Sequence, residues 1–335
     1  MKRFNELESQ FSGRRVLYIT TKNIDYIRVS QEINFLNSVA ASVRVIGSSS
    51  SSYPKRLAQV FKDLFFLKLT EFDIVFVGFA PQLIMPFFGR KLSKLPVVMD
   101  FFISVYDTMV LDRKKFADGG MMSGFCHRLD ERTLKRADYI VCDTMAHGRF
   151  FAEELGANPE KLRVLYLEAD HSIYYPRKAS TVSENNGQAP NAAPHKVLYF
   201  GSILNLQGVD IILDALRNFA GDDRFQFEII GPIKSEMNKP IQANITYIDW
   251  LSQQDLAEHI AAADLCLAGH FSGTIEKARR TIPGKAYIYE AMGRPMILGD
   301  GDANHELFKE DDTHRFVEMG NASALATAIR VFFES

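Results

Sequence analysis

Cysteine is scarce in this 335-residue chain: Cys126, Cys142 and Cys266 are odd in number, far apart and outside any C-x-x-C pair. That excludes a disulfide framework and a thiolate zinc site, and points to buried free thiols in a reducing compartment. Net charge is nearly absent, 39 Lys plus Arg against 41 Asp plus Glu, so the chain as a whole is not built to coat a polyanion. Long hydrophobic runs are missing too. The longest, 74–89, is shorter than a spanning helix and is broken by Pro81 and Pro86. The first ten residues are polar and acidic, without a signal-peptide core. No G-x-G-x-x-G comes after an opening strand, which disfavours a nicotinamide-dependent dehydrogenase, and no basic stripe or RNA motif supports nucleic-acid binding. With 47% hydrophobic and 24% charged residues, disorder, collagen and coiled coil are excluded as well. What is left is a globular, cytoplasmic chain whose length predicts two domains.

The domains are legible in composition. Residues 177–195 hold almost no apolar side chain and read as a linker between a first domain, 1–176, and a second, 196–335. Residues 1–176 hold 24 Lys/Arg and 20 Asp/Glu, a net of +4; the remaining 15 and 21 give the rest of the chain a net of −6. A basic half suggests a domain that faces an anionic surface or substrate. Both halves open on nearly the same run, Arg15-Val-Leu-Tyr-Ile-Thr20 and Lys196-Val-Leu-Tyr-Phe-Gly201, each succeeded by helical periodicity. Short apolar runs then recur at 43–46, 73–77, 96–99, 139–141 and 161–165, and at 225–230, 245–248, 265–267, 295–298 and 316–317, with helix-length patterns such as 256–263 and 285–292 between them. Continuous apolar strands alternating with helices predict an α/β fold: two Rossmann-like, doubly wound parallel sheets, with the ligand in a cleft between their carboxyl ends.

One stretch carries chemistry. In Thr281-Ile-Pro-Gly-Lys-Ala-Tyr-Ile-Tyr-Glu-Ala-Met-Gly-Arg-Pro295, Pro283 and Gly284 open a helix, Lys285 sits in its first turn, and Gly293 ends it. A helix N-terminus reinforced by Lys suits a pyrophosphate, and Glu290 further along suits a ribose diol. An ordinary amphipathic helix with solvated charges fits the same spacing.

This segment resembles the P-x-K-x-x-E-Y-M-A-x-G-x-P pattern of glycosyltransferase family 4, the retaining GT-B enzymes. The resemblance extends to 199–210 as the first donor-domain strand and glycine loop, to Phe227-Glu-Ile-Ile-Gly-Pro232, to 245–265, and in the first half to 134–144 and 155–176. It implies that Gly201, Ser202, Gln207 and Gly231 line the donor phosphates and nucleoside. It implies that the edge at 248–251, with Trp250 and Leu251, borders the base, and that Lys285 and Glu290 anchor pyrophosphate and ribose. Arg279, with Lys277 and Arg280, precedes that helix and can reach the donor. Ser202 and Gln207 stand where many members carry Arg and Lys, and Ile282 where many carry a first glutamate, eight positions before the one matched to Glu290.

In the first half, Asp100 ends a buried strand and is the candidate to position or deprotonate an acceptor hydroxyl, with Tyr106, Asp107 and His127 as lesser candidates. Asp300-Gly-Asp302 reads as turn chemistry rather than a metal site, so no metal is expected. Segments 55–68 and 86–94 are basic and Phe-rich, which suits peripheral contact with an anionic membrane. The expectation is a hexosyltransferase that retains configuration, needs no cofactor and moves sugar from a nucleotide-sugar to a glycan or lipid-linked acceptor. A UDP-sugar is placed ahead of a GDP-sugar. A non-catalytic glycosyltransferase-like partner subunit and a GT-B sugar-nucleotide epimerase are the alternatives; the epimerase needs more acid/base side chains than the sequence offers.

Overall fold

The computed structural model describes residues 4–177, 193–202, 204–233 and 237–334. The chain divides into two compact units, Met1–Leu167 and Glu168–Ser335. The division comes earlier than composition suggests, so that 168–176 fall in the second unit together with Arg177, which is ion-paired to Glu258. Most of the expected linker, 178–192, lies outside the described residues.

The first unit runs α1 (Phe4–Phe11), β1 (Arg15–Asn23), α2 (Ile27–Val39), β2 (Ser42–Ser48), α3 (Tyr53–Phe66), β3 (Ile74–Gly78), α4 (Met85–Leu92), β4 (Val97–Asp100), α5 (Met121–Leu134), β5 (Tyr139–Cys142), α6 (Met145–Leu155) and β6 (Leu162–Val164). Its sheet has the order β2-β1-β3-β4-β5-β6, parallel throughout. Both faces are covered, which is why the strands read as unbroken apolar runs. The two-residue period splits each strand between cores: Leu17, Ile19, Val75 and Val77 enter one, Val16, Tyr18, Ile74 and Phe76 the other.

The second unit runs β7 (His195–Phe200), α7 (Val209–Leu216), β8 (Phe225–Ile230), β9 (Ile245–Ile248), α8 (Gln253–Ala262), β10 (Leu265–Gly269), α9 (Lys277–Arg280), α10 (Gly284–Ala291), β11 (Met296–Gly299), β12 (His314–Val317) and α11 (Ala322–Glu334). Its order is β12-β11-β10-β7-β8-β9, again parallel. Val197, Tyr199, Phe227 and Ile229 pack with α7 and α11 side chains in one core. Successive strands move outward in opposite directions from β7 and β10, so the order reverses between these two. At such a reversal the loops leaving the carboxyl ends diverge and open a crevice.

Candidate functional site

The crevice of the second unit is framed by the loops that leave β7 and β10. Gly201, at φ +152°, donates its N–H to Ile230, and Gly231, at φ +126°, donates to the Ile248 carbonyl at 2.7 Å. A Cβ on Gly231 would strike the Gly201 carbonyl oxygen, so the two loops touch backbone to backbone and exclude a side chain. Gly269 turns at φ +84°, where a Cβ would come within 2.6 Å of Gln207 Oε1, and His270 is next at φ +58°, buried, with Nδ1 2.9 Å from the Thr281 carbonyl. A positive φ on a buried histidine is strained backbone, held here at the mouth of the switch point.

Lys285 fills this frame. It enters from the first turn of α10, is 5% exposed, and donates to Gln207 Oε1 on the loop after β7. Its Nζ lies 4.9 Å from the centroid of the Tyr199 ring. No acidic side chain among the described residues pairs with it, and burial alone pulls its pKa down to about 7. The Tyr199 hydroxyl is buried and has no hydrogen-bond partner among the described residues. A desolvated amine beside an unsatisfied hydroxyl, at a crevice rimmed by glycine backbone, is arranged to receive an anion.

Other expected donor contacts are placed elsewhere. Glu290 is exposed at the far end of α10, where Oε2 pairs with His314 Nε2 at 2.9 Å, at the start of β12. The strands' amino ends lie there, opposite the end that carries Lys285. The helix runs unbroken from Gly284 to Ala291, so the family pattern cannot slip along it. Anchored on Pro283, Lys285, Gly293 and Pro295, its glutamate falls on Ile288 and its methionine on Glu290. The earlier carboxylate of the pattern then falls on Arg280 rather than Ile282. Neither carboxylate is present.

Arg279 reaches away from the crevice, to the Asp300 carbonyl at 3.4 Å, and its own carbonyl accepts from Ala303. Pro283 is buried and caps α10 rather than entering it; Gly284 is exposed, and a Cβ there would meet nothing within 4 Å. Ser202 is exposed next to Gly201. Trp250, 78% exposed, and half-buried Leu251 lie just past the carboxyl end of β9, on the outer edge of the sheet. Asp300 pairs with His305 at 2.6 Å, and no group of metal-ligating side chains occurs among the described residues.

In the first unit Asp100 is fully buried and accepts two hydrogen bonds from Arg28, at 3.0 and 3.3 Å. Arg28 also pairs with Glu32 at 3.2 Å and donates to the Leu165 carbonyl, and Tyr18 donates to Glu32 at 2.5 Å. Burial first, then the neighbouring Asp100 charge, holds the Glu32 pKa well above the usual carboxylate range. Asp100 therefore serves as the buried counter-charge of Arg28, with no exposed surface. Tyr106 donates to Asp118, and His127 contacts the Glu154 carbonyl at 2.7 Å. Asp107 is buried 3.5 Å from His147, whose Nδ1 lies 2.6 Å from Asp143. Burial lowers the His147 pKa, but the two carboxylates outweigh it and raise it overall. Sequence reasoning missed Arg28, Glu32, His147, Gly269 and His270. Only the pair at 269–270 left a trace, a glycine ending the strand where the sheet order reverses.

Residues 194–335 match the family model described as Glycosyl transferases group 1. No curated protein matches the chain. Among solved structures, sucrose-phosphate synthase from Thermosynechococcus elongatus superposes with a TM-score of 0.67 at 12% identity, over 96% of this chain and 90% of that one. HepE from Anabaena, in complex with UDP, gives 0.63 at 14% identity over 96% and 90%. A glycosyltransferase from Rickettsia africae ESF-5 gives 0.59 at 13% over 97% and 89%. Identities this low speak to the fold alone, and that fold is GT-B, with two Rossmann-like units.

Proposed function

We propose that the chain is a glycosyltransferase whose nucleotide-sugar donor, a UDP-sugar, binds the second unit with its diphosphate on Lys285. The supporting observation is the buried Lys285 amine, which donates to the Gln207 amide at the sheet's switch point and pairs with no carboxylate among the described residues. An arriving diphosphate would supply the missing negative charge, so Lys285 would take up a proton and stay charged. Backbone N–H groups at the start of α10 would share the load, and the Gly201–Gly231 contact would leave room for close approach. As the bond from the anomeric carbon to the diphosphate breaks, Lys285 would hold the charge that develops on the leaving oxygen. The acceptor hydroxyl of a glycan or lipid-linked sugar would form the new bond on the face the diphosphate leaves, its proton passing to the departing diphosphate oxygen, transferring a hexosyl unit with retention. That stereochemistry, and the absence of any cofactor or metal, are carried over from the family 4 resemblance.

A second reading keeps the binding and drops the chemistry. Ile288 and Arg280, where the family pattern has carboxylates, favour a glycosyltransferase-like subunit that holds a nucleotide without turning it over.

Calorimetry with UDP, GDP, TDP, CMP and ADP, with and without magnesium, tests the site. We expect one nucleoside diphosphate to bind, indifferent to magnesium, with Lys285→Met weakening it roughly 10- to 100-fold, the worth of a hydrogen bond to a charged group. Glu290→Ala should leave it unchanged. No binding by any nucleotide would end the donor assignment; binding without consumption of any UDP-sugar would leave the second reading standing.

A further inference from the structure

A groove of about 680 Å³ lies in the first unit between α4 and α5. One wall is a stripe of cations: Arg128 and Arg132, one turn apart on α5, and Arg136 in the turn just past its end line the groove together. At 1.5 Å per residue the two helical arginines stand roughly 6 Å apart along the axis. Arg136 is tied down, donating to the Met85 carbonyl at 2.6 Å. Arg128 and Arg132 are exposed, and among the described residues neither donates to a protein acceptor. The lining contains no acidic side chain to neutralise the stripe.

The rest of the lining is apolar and stands out from the surface. Met85 is buried at the base, while Phe87 is 71% exposed, Phe125 58% and Met121 92%. The rim continues onto α3, which meets α4 through Phe61 against Phe87 and Phe88, and which carries exposed Phe65 and Phe66. Large aromatic side chains that project into water beside unpaired guanidinium groups are poor design for a free anion, which needs only the charges. They suit an interface whose anionic headgroups lie above hydrocarbon. No described helix is long and apolar enough to cross a membrane, so lipid contact would have to be of this interfacial kind.

We propose that this groove seats the first unit on an anionic phospholipid bilayer. Lipid phosphates sit on Arg128 and Arg132, while Phe87, Met121 and Phe125 enter the boundary between headgroups and acyl chains. The sequence pointed to 55–68 and 86–94; the face the structure assembles adds α5, where the free cations are. The inference does not depend on the donor site, and vesicle binding reads nothing of transfer, so either can fail alone.

The test is co-sedimentation of the full chain with phosphatidylcholine vesicles, with and without phosphatidylglycerol. Wild type should bind only the anionic vesicles and come off as salt is raised. Losing Arg128 and Arg132 together, as Gln, should lower the partition coefficient roughly 25-fold, about fivefold per cation. Phe87→Ser with Phe125→Ser should lower it at least tenfold with far-UV dichroism and melting temperature unchanged, whereas Arg217→Gln with Arg224→Gln in the second unit should not. Equal binding to neutral vesicles, or arginine variants that bind like wild type, would overturn the proposal. So would millimolar inorganic phosphate displacing the protein, which would make the groove a free-anion site. A dimer that the phenylalanine variant dissolves would put a second copy there instead.

Discussion

Lys285 is costly to bury, an amine with no carboxylate beside it among the described residues. Folding lowers its pKa to about 7 from the ordinary 10.5, so between those values the unfolded chain binds more protons than the folded one. Stability should therefore rise as pH climbs from about 7 to 10.5, with the full penalty present below 7. Denaturant melts across this range should show that slope, and Lys285→Met should flatten it and add about 1–4 kcal/mol at neutral pH. Asp100 behaves in the opposite sense. Removing it strands the buried Arg28 guanidinium, so Asp100→Asn should cost on the order of 3–5 kcal/mol in urea melts, a stability defect unrelated to acceptor chemistry.

At the scale of elements, α10 decides what the site can hold. Its first turn delivers Lys285 to the crevice, its packing face puts the Tyr289 ring 5.6 Å from Phe200, and its last turn carries Glu290 down to His314. Ile288, one turn after Lys285, occupies the position of the family's glutamate. Ile288→Glu should strengthen binding of a nucleoside diphosphate several-fold by restoring an acceptor for the ribose hydroxyls, read by the same calorimetry. An unchanged affinity would mean that the ribose lies elsewhere. The glycine loops constrain the site in a complementary way: Gly201 and Gly231 allow the loops after β7 and β8 to meet, while Gly269 leaves room for Gln207.

Across the whole molecule, the strands were the most readable part of the sequence. Phe225–Ile230 and Ile245–Ile248 begin and end where their hydrophobic patterns do, and a central strand such as Ile74–Gly78 is apolar throughout because both faces of its sheet are covered. Side-chain partners were not readable. Asp100 finds Arg28 from 72 positions away and Glu290 finds His314 from 24, and no local pattern encodes either pairing. Lys285 was legible because its role comes from its place in one helix turn; that its partner is Gln207, 78 positions earlier, was not.

The central claim is that a diphosphate recharges Lys285. Calorimetry of UDP binding at pH 8, in two buffers of different ionisation enthalpy, counts the protons that accompany it. With the free amine titrating at about 7 and the bound one held charged, uptake should approach about one proton per nucleotide and vanish in Lys285→Met. Binding with no proton uptake, or uptake that survives in Lys285→Met, would contradict the account.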